Sequence, residues 1–291
     1  MMRAVQARGH GVFVCGQSSL HWDKNRVATR ATRLSLAGDD EHWYRAHETV
    51  ERPLPGFDAV LMRKDPPFDM EYVASTWLLS EAERQGAKVV NSPRAIRDHN
   101  EKFAIAEFPG FTVPSLVGRA MADLQAFIDE HGMVVLKRLD GMGGAGIFVV
   151  RHDDPNRNVI VETISDFGTR SVMAQRFIPA IAQGDKRVIL IGGKIVPHCL
   201  ARIPKPGESR GNLAAGARGE AQPVTPRHRE IAAAIGPVLA ARGLLFVGLD
   251  VIGDWLTEMN VTSPTGFREI QDQTGFDVAG AFVDALESRL Q

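Results

Sequence analysis

Apolar residues recur along this chain in two rhythms, short dense runs and longer stretches with a helical repeat. The runs at 12–15 (VFVC), 57–62 (FDAVLM) and 88–91 (KVVN) predict strands. Between the last two, residues 69–85 carry helical spacing, with Asp69 as N-cap and Gly86 as the stop. Strand, helix and strand in that order give a right-handed crossover and a parallel sheet. An α/β, doubly wound parallel-sheet domain is therefore expected over residues 1–98. Its connection at 63–68 (RKDPPF) follows the carboxyl end of a strand, where open parallel sheets bind ligands. The first nine residues (MMRAVQARG) read as the end of an amphipathic helix, with Met1, Met2 and Val5 on one side and Gly9 closing it. Such domains normally begin on a strand, so the first β-element is expected to be missing; a natural start on a short helix is the alternative.

From Asn100 the rhythm changes to α+β. A helix at 120–131 leads into a strand at 133–137, a glycine-rich turn and a second strand at 147–151. Strands follow at 171–177 and 187–191, the latter turning through Gly192 and Gly193 into 194–199. A helix starting at Thr225–Pro226, strands at 244–252 and 255–260, and a helix at 278–290 complete the pattern. Two subdomains are expected, 99–178 and 179–291. Residues 203–218 (IPKPGESRGNLAAGAR) follow neither rhythm, and a connection that long predicts a lid or a disordered segment.

Composition narrows the classes. Lysine and arginine number 34 against 35 acids, a net charge of −1, so no global attraction to nucleic acid or an anionic membrane is expected. No apolar run approaches the roughly 18 residues of a membrane span. Two distant cysteines, Cys15 and Cys199, suit a reduced, cytoplasmic protein without a disulfide framework or zinc site. Cys199, with apolar Leu200 beside it, reads as a small core residue. The nine histidines have no metal-ligand spacing, and no nucleophile elbow is present.

Residues 140–147 (DGMGGAGI) match GxGxxG through Gly141, Gly143 and Gly146, yet a strand follows instead of the helix a dinucleotide fold requires. A kinase reading, prompted by Asp166–Phe167–Gly168, fails for want of a catalytic loop between the two elements. A β-hairpin remains. It is either a plain turn or a flexible loop whose amides approach phosphates, with Lys137 reaching phosphate oxygens from the strand before it. Near the C-terminus, Asp250 interrupts an apolar strand, and Glu258 and Asn260 share a face two residues apart on the next. Two carboxylates and an amide oxygen suit magnesium; alternatively, Asp250 is a hydrogen-bonded structural acid and Glu258 a solvated one. An acid within a buried strand is costly unless it is paired or metal-bound.

Lys102, Lys137, the glycine hairpin, Arg187, the long loop and the Asp250/Glu258/Asn260 set appear in an order that resembles the ATP-grasp superfamily. Four segments, LMRKDPPFD (61–69), LDGMGGAGIF (139–148), CLARIPKPGESRGNLAAGARGE (199–220) and VGLDVIGDWLTEMNVTSPTGFREI (247–270), resemble bacterial glutathione synthetase more closely still. The likeness runs from Met1 to the C-terminus. Relative to that family, the first strand, the following loop and the start of the first helix are expected to be absent. The resemblance implies an ATP-grasp fold of two α+β subdomains after the N-terminal domain. It also implies a ligase joining γ-glutamylcysteine to glycine through an acyl phosphate, releasing ADP and phosphate. Lys102, Lys137, Leu139, Gly141, Gly143, Gly144 and Arg187 would bind ATP, the two lysines at its phosphates, and Gln175, Arg176, Phe177 and Ile178 would read adenine. Asp250, Glu258 and Asn260 would hold two magnesium or manganese ions, while Arg187, Arg202 and Arg210 would steady the transferred phosphoryl group and the oxyanion. Arg63, Arg202, Arg210, Asn212, Ser263 and Thr265 would bind the peptide substrate; for Arg63 a surface ion pair is an equal alternative. Residues 203–218 would close as a lid, with 211–216 mobile before ligand binds. A homotetramer is implied by the same likeness. Competing functions are another ATP-grasp ligase, acting on D-alanine or adding glutamate, and a nucleotide-binding regulator without turnover.

Overall fold

A computed structural model describes residues 1–38, 41–208, 211, 213 and 216–291. In the N-terminal part, strands Val60–Leu61 and Val89–Val90 pair in parallel across the helix Met70–Arg84. That helix starts where expected, Asp69 Oδ1 accepting the Tyr72 N–H at 2.9 Å, and Gly86 follows it at φ +99°. The short helix Met2–Ala7 turns Met1, Ala4 and Val5 onto a core that includes Phe282 and Leu286.

The rest of this part differs from expectation. Strand Val12–Val14 does not join the parallel pair; it runs antiparallel to Arg26–Leu36, which also pairs with His21–Asp23 and Tyr44–Pro53. The long hairpin escaped the sequence reading because its outer strand, Tyr44–Pro53, has no buried residue. Without a buried face there is no alternation to detect. The α/β character stands, with the parallel portion confined to two short strands among the described residues.

Two antiparallel sheets follow. The first has the order Ser115–Gly118, Val172–Arg176, Met133–Arg138, Ile147–Arg151. Helices Met121–His131 and Arg157–Ser165 cover one face of it through Leu124, Ile128, Val161 and Ile164. The second has the order Arg218–Pro223, His198–Ile203, Asp185–Ile191, Phe246–Ile252, Trp255–Asn260. Residues 188–191 and 246–249 of its adjoining central strands carry no polar side chain, because both faces are covered there. Val188, Leu190, Val247 and Leu249 meet helix Pro226–Ala241 through Ile231, Ile235 and Leu239. Ile189, Ile191 and Phe246 meet the helix Val278–Leu290 through Phe282 and Val283. The strand expected at 194–199 is broken into Lys194–Ile195 and His198–Ile203, since Pro197 offers no N–H to a ladder. Strands Ser115–Gly118 and Arg218–Pro223 and helices Arg157–Ser165 and Phe267–Thr274 were not anticipated.

Asn91 ties the N-terminal part to the second sheet. Its buried amide donates to the carbonyls of Phe246 (2.7 Å) and Val261 (3.0 Å) and accepts from the Phe246 N–H (2.9 Å). Substituting Asn91→Leu strands three buried backbone groups, so urea unfolding is expected to show a loss of about 3 kcal/mol or more. A loss below about 1 kcal/mol would show that this joint is not what holds the two parts together.

Candidate functional site

The two antiparallel sheets face each other across a cleft of about 870 Å³, open to solvent. One wall is the glycine hairpin, whose strands pair with Lys137 opposite Ile147. Gly143 and Gly144 take φ of +65° and +82°, a region that side chains disfavour, and residues 141–145 line the cleft. Lys102 and Lys137 are buried there, 5 % and 4 % exposed. Lys102 Nζ donates to the Gly141 carbonyl at 2.6 Å. Lys137 Nζ reaches across to the other sheet, meeting Glu258 Oε1 at 3.2 Å and the Thr257 carbonyl at 3.3 Å. A buried ammonium needs such partners, and here they come from the opposing wall.

The second wall holds the acids. Asp250 lies opposite Glu258 on one side and opposite Arg187 on the other in the strand register. Arg187 Nε donates to Asp250 Oδ1 at 2.6 Å, and Arg202 Nη2 reaches Asp250 Oδ2 at 2.8 Å. Burial pushes the Asp250 carboxyl up, but the guanidiniums of Arg187 and Arg202 outweigh it and hold the group well below the usual carboxylate range. Glu258 follows the same logic: burial opposes its charge, and Lys102 and Lys137 prevail, so its carboxyl titrates below its ordinary range. Asp185, not singled out from the sequence, completes the group by pairing with Arg202. Burial raises its carboxyl to about 6 despite Arg202, with Asp250 adding to the rise. Among the described residues, Asp185 Oδ1 and Arg202 Nε are buried without a hydrogen-bond partner. The one sequence signal for Asp185 was its place two residues before Arg187, on the same strand face.

The far end is suited to a flat heterocycle. The Phe177 N–H is taken by the Met133 carbonyl at 3.0 Å. Among the described backbone hydrogen bonds the Phe177 carbonyl and the Ile178 N–H have no partner, leaving an acceptor and a donor side by side. Val135, Ile147, Val149, Ile181 and Ile252 supply apolar surface around them. Arg176 lines this end too, whereas the Gln175 side chain turns inward, donating to Ser115 Oγ at 3.1 Å and accepting from Lys137 at 3.4 Å.

Other expected residues fall elsewhere. Leu139 lies outside the cleft and lines a smaller cavity of about 250 Å³ behind the hairpin. At that cavity its carbonyl accepts from Asn100 Nδ2 at 3.0 Å. Arg63 is exposed, and no ion pair to it is found among the described residues; its guanidinium donates to the Pro264 carbonyl at 2.9 Å and stands 5.2 Å over the Phe246 ring. Ser263 hydrogen-bonds Asp65, and Thr265 is exposed beside it. Residues 63–65 and 262–265 thus meet beyond Asn260. Arg210 and Asn212 lie outside the described residues. Gly211, between them, lines the cleft so tightly that a Cβ there would come within 2.9 Å of the Arg202 carbonyl and of Asp185 Cβ.

The donor set fits a hard divalent cation. Among the described residues, no three His, Cys, Asp or Glu side chains gather as a metal group, so mixed oxygen donors are what the cleft offers. Glu258 makes its lysine contacts through Oε1, and Asn260 donates through Nδ2 to the Gly248 carbonyl at 3.3 Å. Among the described residues no hydrogen bond to Glu258 Oε2 or Asn260 Oδ1 is found; Glu258 lines the cleft, and Asn260 follows it on the same strand face without lining the cleft itself, with Asp250 opposite Glu258.

The family model for the prokaryotic glutathione synthetase N-terminal domain matches residues 1–97, and that for the ATP-grasp domain of the same enzymes matches residues 101–275. Glutathione synthetase of Ralstonia nicotianae is 61% identical over 99% of this chain and 89% of its own length. That of Nitrosomonas europaea is 57% identical over 100% and 92%. The chain belongs to the prokaryotic glutathione synthetases. It is accordingly an ATP-dependent ligase of small molecules that works with a divalent metal. Among solved structures, the D-cycloserine synthetase DcsG superposes with a TM-score of 0.66 at 16% identity, over 82% of this chain and 86% of its own. The ATP-grasp ligase PsnB gives 0.61 at 19% identity, over 99% and 92%. These two establish the ATP-grasp fold.

A metal-binding role can be tested apart from folding at Asn260. Replacing Glu258 would leave Lys102 and Lys137 without their carboxylate and destabilise the protein as well, whereas the Asn260 amide makes one long hydrogen bond among the described residues. Asn260→Ala is expected to raise the divalent-metal concentration for half-maximal turnover about tenfold. Its unfolding free energy should fall by less than about 1 kcal/mol. An unchanged metal requirement would remove Asn260 from the site.

Proposed function

We propose that the cleft joins γ-glutamylcysteine to glycine by way of an acyl phosphate, with adenine at the Phe177–Ile178 end and the phosphates between Lys102, Lys137 and the hairpin. The observation that carries this reading is the Lys137–Glu258 contact between the two walls at 3.2 Å. It supports the reading because an ammonium able to bind phosphate stands beside a carboxylate able to bind a cation, each from a different wall of the cleft. A carboxylate is a poor electrophile because its charge repels nucleophiles; phosphorylation turns it into an acyl group with a good leaving group. One substrate carboxylate oxygen attacks the γ-phosphorus and ADP departs. The glycine amine then attacks the carbonyl carbon, and the bridging oxygen leaves with phosphate. Both steps depend on positioning and charge neutralisation.

Lys102, Lys137 and the amides around Gly141, Gly143 and Gly144 hold the phosphates, with Leu139 supporting the hairpin from behind. Asp185, an acid with an unpaired buried oxygen, accepts from a hydroxyl of the nucleotide. Asp250, Glu258 and Asn260 would hold two magnesium ions, or manganese in their place, and the chemistry these would supply is charge neutralisation. The role of Arg187 and Arg202, and of Arg210 outside the described residues, is to steady the transferred group and the oxyanion. Arg63, Asn212, Ser263 and Thr265 bind the dipeptide. Residues 203–218 exclude water from the acyl phosphate, a role supported by the close approach of Gly211 to Asp185. The working form is a cytoplasmic homotetramer of three-part subunits, divided near residues 98 and 178.

ADP release measured with γ-glutamylcysteine and, in turn, glycine, alanine and D-alanine tests the assignment. Release is expected to require the dipeptide and to be fastest with glycine. Release independent of all three acceptors, or sustained by D-alanine without the dipeptide, would overturn it.

A further inference from the structure

Glu101 follows the helix Pro93–Asp98 and precedes Lys102, and neither composition nor spacing marks it out. In the fold it grips the backbone on both sides of Asn260. Its carbonyl accepts the Met259 N–H at 2.8 Å. Its side-chain Oε1 accepts the Val261 N–H at 2.8 Å, the Thr262 N–H at 2.9 Å and the Thr262 hydroxyl at 2.8 Å. The strand Trp255–Asn260 has just ended there, so those two N–H groups have no ladder partner and need an acceptor. The next residue, Lys102, donates to Gly141 in the hairpin and stands 4.0 Å from Glu258. Two consecutive residues thus set the hairpin, the acid strand and the 262–265 segment at fixed distances from one another.

We propose that Glu101 is the positioning residue that aims the Asn260 amide into the metal site, through the two hydrogen-bonded peptides that flank it. Glu101 touches neither the phosphates nor the metal; it acts through the backbone of Met259, Val261 and Thr262. The inference rests on Asp250, Glu258 and Asn260 being the metal-holding set. The operative feature is an acceptor oxygen at one distance from the main chain. Burial raises the Glu101 carboxyl above its ordinary range, against the lowering pull of the Thr262 and Val261 donors. An uncharged acceptor of the same length is therefore the informative replacement. Glutamine keeps the oxygen where it is. Aspartate keeps the charge but withdraws the oxygen by about 1.5 Å, one carbon–carbon bond.

The test is Mn²⁺ binding to the full chain in the presence of ADP, read from loss of the free-Mn²⁺ EPR signal, with a thermal melt of each variant. Glu101→Ala and Glu101→Asp are expected to weaken binding by the folded protein about tenfold or more, the range for outer-shell partners of a metal site. Glu101→Gln is expected to recover binding to within about threefold of wild type. If Glu101→Ala does not fold, the aspartate and glutamine variants decide alone. Aspartate equal to wild type with glutamine impaired would overturn the proposal in favour of a charge effect. Lowered melting temperatures with unchanged Mn²⁺ affinity in the aspartate variant would reduce Glu101 to a structural tie and equally overturn it. No Mn²⁺ binding by the wild type with ADP would refute the metal-site reading itself, and this inference with it.

Discussion

Two carboxylates on adjacent buried strands remain ionised only if cations surround them, and in this fold that requirement fixes the relation between the two sheets. Asp250 and Glu258 face each other across the register. Each ion carries several kcal/mol of desolvation cost, which must be offset by neighbours at short range. Arg187 and Arg202 come from the same sheet, Lys137 from the opposite one, and Lys102 from the connection between the N-terminal part and the first sheet. With Asp185 included, four cations face three acids. The cleft is left with a slight positive excess at the place where a polyphosphate would bind. A hydrophobic replacement of the whole network would hold the sheets together as well or better, so the charges answer to the ligand more than to stability.

The sequence disclosed these parts unevenly, and the reasons are physical. Asp250 stood out because its strand is apolar on both sides, and the glycine hairpin because a strand follows it. Helix caps at Asp69 and Thr225 were readable because capping is local: Asp69 accepts from Tyr72, and Thr225 exchanges hydrogen bonds with His228. The bidentate Arg187–Asp250 contact was not readable, since it depends on which residues oppose one another across the Asp185–Ile191 and Phe246–Ile252 pairing. Asp185 and Glu101 are single acids in unremarkable surroundings, and their roles arise from partners 17 and about 160 positions away. The Tyr44–Pro53 strand gave no pattern because it buries nothing. The contacts of exposed Arg63 with the Phe246 ring and the Pro264 carbonyl were not readable either, because both partners lie about 180 to 200 positions away.

The division of labour within the ATP-grasp fold follows from the same geometry. The cleft end proposed for the nucleotide is built from backbone groups, apolar strand residues and the lysine–glutamate bridge. The end near residues 63–65 and 262–265 is built from loops joined by single contacts, Arg63 to Pro264 and Asp65 to Ser263, and loops tolerate change more readily than strands. Specificity for one carboxylate and one amine is therefore expected to reside in those loops and in the 203–218 connection.

The central claim is that the cleft activates a carboxylate by phosphorylating it. The direct measurement uses γ-glutamylcysteine labelled with ¹⁸O in its cysteinyl carboxylate, with mass analysis of the phosphate released during synthesis. Through an acyl phosphate, one labelled oxygen passes from each dipeptide to the phosphate. Phosphate free of label, with product still accumulating, would contradict the mechanism.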